Sequence, residues 1–301
     1  MLLRHIRYLL AVAEQGNFSR AAEVLHVSQP TLSQQIKQLE EELGAELLDR
    51  SGRSVRPTAA GAAYIEHARK MLLELAAGKR AIHDVQDLSR GTLRLALTPT
   101  FIPYLAGPLI RNFTARYPDI HLTVLERSLN DIESELAEDA IDIAIAFDTV
   151  RNPDIECLPL LVETLGLMVG KHHPFYARNK TWVAPPQLSE QPLVLLTKDF
   201  ITRTCVEEYF REHEVKPKVV METNSVAAIL EILRHAPMAT ILPEAIASEE
   251  RGLRCYQLKG DPPQRTAALL RRRHGYQSAA ALAFTQMAEA WCVDNLGGQE
   301  I

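Results

Sequence analysis

Cysteine is scarce: four in 301 residues, at Cys157, Cys205, Cys255 and Cys292, with no two at metal-ligand or redox spacing. That excludes a disulfide framework and a zinc module, and it predicts inert, buried thiols in a reducing compartment. Aromatic residues are only 6% and the six methionines form no pattern, so no cofactor box is expected. No apolar run approaches the ~20 residues of a membrane span. The first stretch, MLLRHIRYLLAVAEQG, is broken by Arg4, His5 and Arg7 and has no small-residue cleavage site, so it is not a signal peptide. The expectation is a cytoplasmic protein that meets no membrane. A basic excess is missing too: the net charge is −5, which taken globally argues against nucleic acid. Catalytic signatures are absent, with no nucleophile elbow, no Walker loop and no HExxH. Neighbouring side chains on an extended segment diverge, so His172-His173 reads as a surface turn rather than a metal pair. Arg271-Arg272-Arg273 reads as the solvated end of a strand. Neither an enzyme nor a bound metal or cofactor is expected.

What is present is apolar mass, 47% hydrophobic against 24% charged, enough for a sizeable core and more than one domain. Helical spacing begins at once with Ile6, Leu9, Leu10, Val12 and Ala13. Gly16-Asn17 tolerates a left-handed backbone and ends that helix. Ser19 then caps a second helix, with Ala21, Ala22, Val24 and Leu25 inward, and His26-Val27 form a turn. Ser28 caps a third helix with Pro30 in its first turn, and Gly44 stops it. Small alanines and a short turn before the third helix are helix-turn-helix spacing.

In that arrangement the first turns of the third helix enter the major groove. The exposed candidates are Gln29, Pro30, Thr31, Ser33, Gln34 and Lys37, opposite an apolar line of Leu32, Ile36, Leu39 and Leu43. Gln suits adenine N6/N7, Thr offers a methyl to thymine or a hydroxyl to phosphate, and Lys suits guanine or phosphate. Residues 47–58, LLDRSGRSVRPT, read as a hairpin wing carrying Arg50, Arg53 and Arg56 toward phosphates or the minor groove. Residues 1–58 hold seven basic and seven acidic side chains, so only their distribution favours an anionic partner. Glu40-Glu41-Glu42 sits at the far end of the third helix, away from DNA. The helical pattern by itself favours an ordinary capped surface helix; the wing tilts the reading toward DNA.

The order FSRAAEVLHVSQPTLSQQIKQLEEELGAELLDRSGRSVRPTAAG resembles the N-terminal domain of LysR-type transcriptional regulators. It carries "AA" in the second helix, "VSQPTLSQQIKQLE", "LG-x-x-LLDR" and "TAAG" opening a long helix; Leu48 stands where the family pattern often has Phe. The resemblance implies a winged helix-turn-helix over 1–58, a duplex operator as partner and no enzymatic activity.

From the cap at Thr58, Ile65, Ala68, Leu72, Leu75, Lys79, Ile82 and Gln86 step by alternating three and four, a heptad seam with two polar positions. It can be one amphipathic helix lying on its own domain, or a seam covered by a second chain. In the family the corresponding segment, 59–88 here, is the dimerisation helix. The resemblance further implies a dimer of dimers on DNA and RNA polymerase as a partner.

Ser89-Arg90-Gly91 breaks the helix. Strand patterns GTLRLALT, HLTVLE, DIAIAF, LGLMVG, PLVLLT, MATILP and TAALLRR then alternate with helical patterns at 105–117, 130–138, 202–212 and 225–236. That is an α/β class with a largely parallel sheet. Two strand groups predict two lobes, about 91–161 with 267–301 and about 162–266, crossing near Leu160–Thr164 and Gln264–Ala268. The resemblance implies a two-lobed effector domain like periplasmic solute-binding proteins.

Ligands in such sheets sit beyond strand C-termini, where helices begin. Four junctions qualify: Thr98, Thr100 and Phe101; Phe147 and Thr149; Thr202 and Arg203; Asn224 and Ser225. Hydroxyls, backbone N–H groups and a cation suit a small anion; taken singly, Thr98, Thr202 and Ser225 read first as helix caps, and the convergence of all four junctions on one cleft favours a ligand site. Asp148 is expected to turn outward or pair with a base. AGKRAIHDV, LTPTF with GPLI, IAFD, LVLLTKDFITR and ETNSVAAILEILR with ILPEAIA are similar to the branch of the family that controls cyanate-degradation operons. That likeness implies cyanate as the effector and activation of a neighbouring operon. A different small carboxylate is the same-class alternative. An α/β solute-binding or enzyme-like protein with an N-terminal interaction module is the alternative from another class.

Overall fold

The computed structural model describes residues 3–84 and 91–296. Gln86, the end of the expected linker helix and the tail from 297 lie outside the described residues. The chain divides into two compact units, Met1–Arg80 and Ala81–Ile301.

The first unit opens with α1 (Leu3–Gln15), α2 (Phe18–Val24) and α3 (Gln29–Leu43). Asn17, not Ser19, caps α2: its carboxamide oxygen accepts from Ser19 N and Arg20 N. Either residue type caps well, but the chain leaves its left-handed turn one residue earlier, at Gly16 with φ of +60°. Ser28 caps α3 by accepting from Thr31 N, and Gly44 closes it at φ +67°. Leu32, Ile36 and Leu39 are fully buried against Ile6, Leu9 and Val12 of α1 and Ala21 and Ala22 of α2. Two expected core residues are not buried: Val24 is 58% exposed and Leu43 is 40% exposed. Each lies in the last turn of its helix, past the point where a neighbouring helix covers it.

A short antiparallel hairpin follows, β1 (Leu48–Asp49) with β2 (Arg56–Pro57). Then comes α4 (Ala59–Asp84). Thr58 caps it by accepting from Gly61 N at 2.9 Å, and donates to Glu46 O at 2.7 Å. The glycine of TAAG has a steric reason. A Cβ on Gly61 would lie 1.8 Å from the carbonyl oxygen of Leu47. The seam on α4 divides: Ile65 and Ala68 belong to the core of the first unit, with Leu72 packed on it. Met71, Leu75 and Ile82 are 39%, 42% and 74% exposed.

The second unit is a mixed α/β domain. β3 (Gly91–Leu97) passes through the 3-10 turn Pro99–Phe101 and a π-turn, Ile102–Ala106, into α5 (Gly107–Arg116). β4 (Ile120–Glu126), α6 (Leu129–Ala137) and β5 (Ile143–Phe147) come next, then the long β6 (Ile155–Gly170). β7 (Trp182–Val183), α7 (Pro185–Leu188), β8 (Pro192–Leu196), α8 (Ile201–Glu212), β9 (Lys218–Thr223) and α9 (Val226–His235) follow. The chain ends with β10 (Ala239–Pro243), α10 (Glu244–Glu249), β11 (Leu253–Leu258), β12 (Gln264–Arg272) and α11 (Ala279–Leu296).

Strand order is β4-β3-β5-β12-β6-β10-β8-β9, with β11 pairing β6 and β7. β4-β3-β5 and β10-β8-β9 are parallel sets. Between them β12 and β6 run antiparallel to each other and to their outer neighbours. The sheet is therefore mixed rather than largely parallel. The expectation missed this because the first half of β6, IECLPLLVET, holds Pro159 and loses its alternation. The register shifts there, between Ala267 and Ala268, so that Leu160 is skipped. A proline in a strand demands such a bulge. β6 pairs β12 up to Thr164 and β10 from Leu165 onward.

Candidate functional site

Gln29, Pro30, Thr31, Gln34 and Lys37 are exposed on the side of α3 opposite its buried leucines, and Ser33 is half-buried at their edge. The Thr31 hydroxyl bonds Ser28 Oγ at 2.7 Å. Among the described residues Lys37 has a single loose ion pair, with Glu41, 3.7 Å apart and exposed on both sides. Such a pair stabilises by ~0.5 kcal/mol or less and yields readily to a phosphate. On the wing, Arg53 and Arg56 are exposed, and neither is in an ion pair among the described residues. Arg50 is different. Its guanidinium donates to Glu40 Oε2 at 2.7 Å and lies 5.1 Å over the Phe18 ring. Arg50 is thus held by Glu40 and Phe18 while its side chain stays 40% exposed, and Glu40 is at the root of the wing rather than remote from it.

In the second unit, three helix starts converge. A cavity of about 40 Å³ is lined by Thr98, Pro99 and Thr100 after β3, Ser128 and Leu129 at α6, Phe147 of β5, and Asp199–Thr202 at α8. The first turn of a helix leaves N–H groups without intrahelical partners and favours negative charge. The volume suits a ligand of a few heavy atoms.

The cation behind the cavity is Arg265, not Arg203. Arg203 is buried, but its three contacts point away: Glu207 at 2.9 Å, Glu222 at 2.6 Å and Leu196 O at 2.8 Å. Arg265 stands directly opposite Glu163 in the β12–β6 ladder. The pleat puts both side chains on the buried face, and their Nε···Oε2 distance is 2.7 Å. The two remaining nitrogens of Arg265 donate to Thr202 Oγ1 and, at 3.1 Å, to Thr100 Oγ1. Its guanidinium covers the Phe147 ring at 4.2 Å, and Phe101 stacks behind at 5.1 Å. Tyr104 donates to the other oxygen of Glu163. Burial, and then that carboxylate, push the phenol well above its ordinary range, so it remains a donor.

This geometry fixes the polarity of the cavity. A threonine oxygen that accepts from a guanidinium keeps its own proton free to donate elsewhere. Thr100 and Thr202 are so arranged. Thr98 Oγ1 is buried at the same wall and has no hydrogen-bond partner. An orphaned buried hydroxyl costs about 1–3 kcal/mol, which a ligand that accepts its proton would recover.

Residues 3–62 match the family "Bacterial regulatory helix-turn-helix protein, lysR family", and residues 86–293 match "LysR substrate binding domain". The chain belongs to the LysR family. It is similar to a hydrogen peroxide-inducible genes activator of Dickeya chrysanthemi, at 32% identity over 90% of each chain. It is also similar to the HTH-type transcriptional activator CmpR of a Synechocystis strain, 32% identical over 75% of this chain and 74% of that one. Among solved structures, full-length CbnR complexed with its target DNA superposes with a TM-score of 0.58 at 25% identity, covering 97% of this chain and 100% of CbnR. LysR-family proteins of this kind are transcriptional regulators, not enzymes.

In this LysR-family regulator, the structure brings Thr98, Thr100, Phe147 and Thr202 to one cavity, with Phe101 behind it. It does not bring Thr149, Asn224 or Ser225 there. Thr149 and Asn224 are exposed, and Ser225 caps α9 by accepting from Ala228 N at 3.2 Å. Asp148 is exposed. Ser128, Leu129, Asp199, Glu163, Tyr104 and Arg265 were missed. An arginine at an inward position of an apolar strand, QRTAALLRR, was the available signal for the last. The four thiols are free; Cys292 is buried and the others are partly covered. Burial pushes Cys255 and Cys292 up to about 12 and raises Cys157 and Cys205, so all four resist ionisation near neutral pH. Among the described residues no helix is long and apolar enough to cross a membrane.

Proposed function

We propose that this LysR-family regulator reads a duplex operator with α3 and the wing, and activates a neighbouring operon when a small anion enters the hydroxyl-lined cavity. Cyanate is the first choice of anion. The observation that carries the reading is the orientation of Thr100 and Thr202: Arg265 donates to one lone pair of each and leaves each hydroxyl proton free to donate to a ligand. Donors and helix starts suit a charge of −1, and the cavity of about 40 Å³ suits a linear ligand of few atoms. One relative is named for hydrogen peroxide and the other is CmpR, so the family likeness does not choose the effector. The alternative within the same class is a small carboxylate.

Thermal-shift titration with cyanate, azide, bicarbonate and small carboxylates tests this, because a ligand that binds only the native state raises the melting temperature. A saturable shift with cyanate is expected. A shift with a carboxylate alone removes cyanate, and silence throughout removes the cavity as an effector site. Thr100→Val keeps the shape and deletes one donor. It should weaken the effector-dependent shift roughly tenfold in apparent Kd, in line with one hydrogen bond to a charged group, while operator affinity is unchanged.

On DNA, Gln29, Thr31, Ser33, Gln34 and Lys37 face the groove around Pro30, and Arg53 and Arg56 meet the backbone. The exposed stripe of Met71, Leu75 and Ile82 on α4 is the dimerisation seam, which places two reading heads on paired half-sites. Two dimers form the bound tetramer, and RNA polymerase is the further partner in the cytoplasm. Gln34→Ala should relax preference at one base pair per half-site at a cost of ~1–3 kcal/mol. Binding measured against all four bases at each position checks it. A loss uniform across sequences would make Gln34 a backbone contact instead.

A further inference from the structure

Glu40 carries more bonds than a surface glutamate needs. One oxygen accepts from Leu47 N at 2.9 Å and Leu48 N at 3.2 Å, and the other accepts from Arg50 at 2.7 Å. The side chain is only 11% exposed. Leu47 and Leu48 lead into β1, so a single carboxylate of α3 holds the first strand of the wing by both backbone and side chain. The same segment holds the start of α4. Leu47 O accepts from Thr58 N at 2.9 Å, Glu46 O accepts from the Thr58 hydroxyl, and Gly61 rests against Leu47 O. Arg50 reaches from this carboxylate to the ring of Phe18 at the start of α2.

We propose that Glu40 is the positioning residue that sets the angle between the reading helix, the wing and the linker helix, and that Arg50 serves this strut rather than the DNA phosphates. The segment 46–48 is too short to bend between its two anchors, so fixing it to α3 fixes the root of α4 as well. In a dimer joined through α4, that angle sets the distance between the two reading helices. Glu40 thereby governs which half-site spacing the regulator accepts, without touching a base. The inference rests on the DNA-reading role of α3 and the wing.

The test measures operator affinity of the full chain against salt, and against operators with one base pair inserted or removed between half-sites. Each phosphate contact contributes about 0.9 to the slope of log K against log salt. Arg53→Ala and Arg56→Ala should each make the slope shallower by about that amount. Arg50→Ala should lower affinity and leave the slope unchanged. Glu40→Ala should narrow the affinity ratio between the correct and altered spacings toward one, while Arg53→Ala should leave that ratio intact. Glu40→Gln keeps an acceptor for Leu47 N and Leu48 N, so it should retain most of the spacing discrimination. Should the alanine variant fail to fold, Arg50→Ala is measured on the altered spacings in its place; it should also narrow the ratio, and full discrimination in it overturns the proposal. A slope that falls for Arg50→Ala as it does for Arg53→Ala overturns the proposal, as does full spacing discrimination in Glu40→Ala. Wild-type binding that ignores salt would instead overturn the DNA reading itself.

Discussion

Arg265→Met should be among the most damaging single changes in the C-terminal domain, with a loss of about 3–5 kcal/mol and no effector response left. Each of the three guanidinium nitrogens donates a hydrogen bond at the wall of the cavity. It pairs Glu163, donates to Thr100 and Thr202, and covers Phe147. Methionine restores most of the volume but leaves Glu163, with a 2% exposed side chain, holding a buried charge that only Tyr104 satisfies. That uncompensated charge, not the lost attraction, dominates the cost. Adding Glu163→Gln should therefore recover much of the stability, because both charges then leave together. It should not recover the response, because the two threonines would have lost the donor that orients them. Denaturant unfolding of wild type, both single variants and the double variant, each also titrated with anions, checks the two halves of the expectation. A single variant as stable as wild type would show that the pair contributes nothing.

Gly61→Ala should disable the reading head. Alanine would improve helix propensity by ~1 kcal/mol. Against that, its Cβ would lie 1.8 Å from Leu47 O and 2.7 Å from the carbonyl carbon, both backbone atoms that cannot swing aside. α4 must then move off the segment that its own cap holds through Thr58. Overpacking against side chains costs typically 1–3 kcal/mol, and a rigid obstacle places this site at or above the top of that range. Net destabilisation of about 2–3 kcal/mol follows from the two opposed effects. The expected record is a lower unfolding temperature for the N-terminal unit, an unchanged one for the C-terminal unit, and weaker operator binding. Wild-type stability in the variant would mean that α4 approaches Leu47 less closely than the structure has it.

The N-terminal head was legible because its signals are local. Ser28, Pro30, Gly44 and Thr58 act within a turn or two of themselves, and a cap or a helix stop is written in adjacent residues. The errors there, Ser19 for Asn17 as the cap and Val24 and Leu43 as core residues, are single-residue matters at helix ends. Strand and helix periods likewise exposed α5, α6, α8 and α9. α11 escaped because alanines and large apolar residues surround it on all sides, leaving no one-sided stripe to recognise. The cavity was half legible. Thr98, Thr100, Phe147 and Thr202 each lie at or just past the end of a strand, which is where ligands gather. The charge could not be placed, since Arg203 and Arg265 look alike in sequence and their partners are not nearby. Glu163 is 102 residues from Arg265, and only strand pairing joins them.

That pairing also orders events in time. β12 is the last strand among the described residues, yet it lies in the middle of the sheet, between β5 and β6. On a ribosome, β3, β4 and β5 emerge long before the strand that covers their inner edge. Non-local closure of this kind is slow and leaves sticky strand edges open meanwhile. The N-terminal unit has no such wait, since its core closes within the first 72 residues. A nascent regulator thus has a finished head while its sensor is still unassembled, and a chain stopped short of residue 264 would carry that head on a permanently open, aggregation-prone sheet.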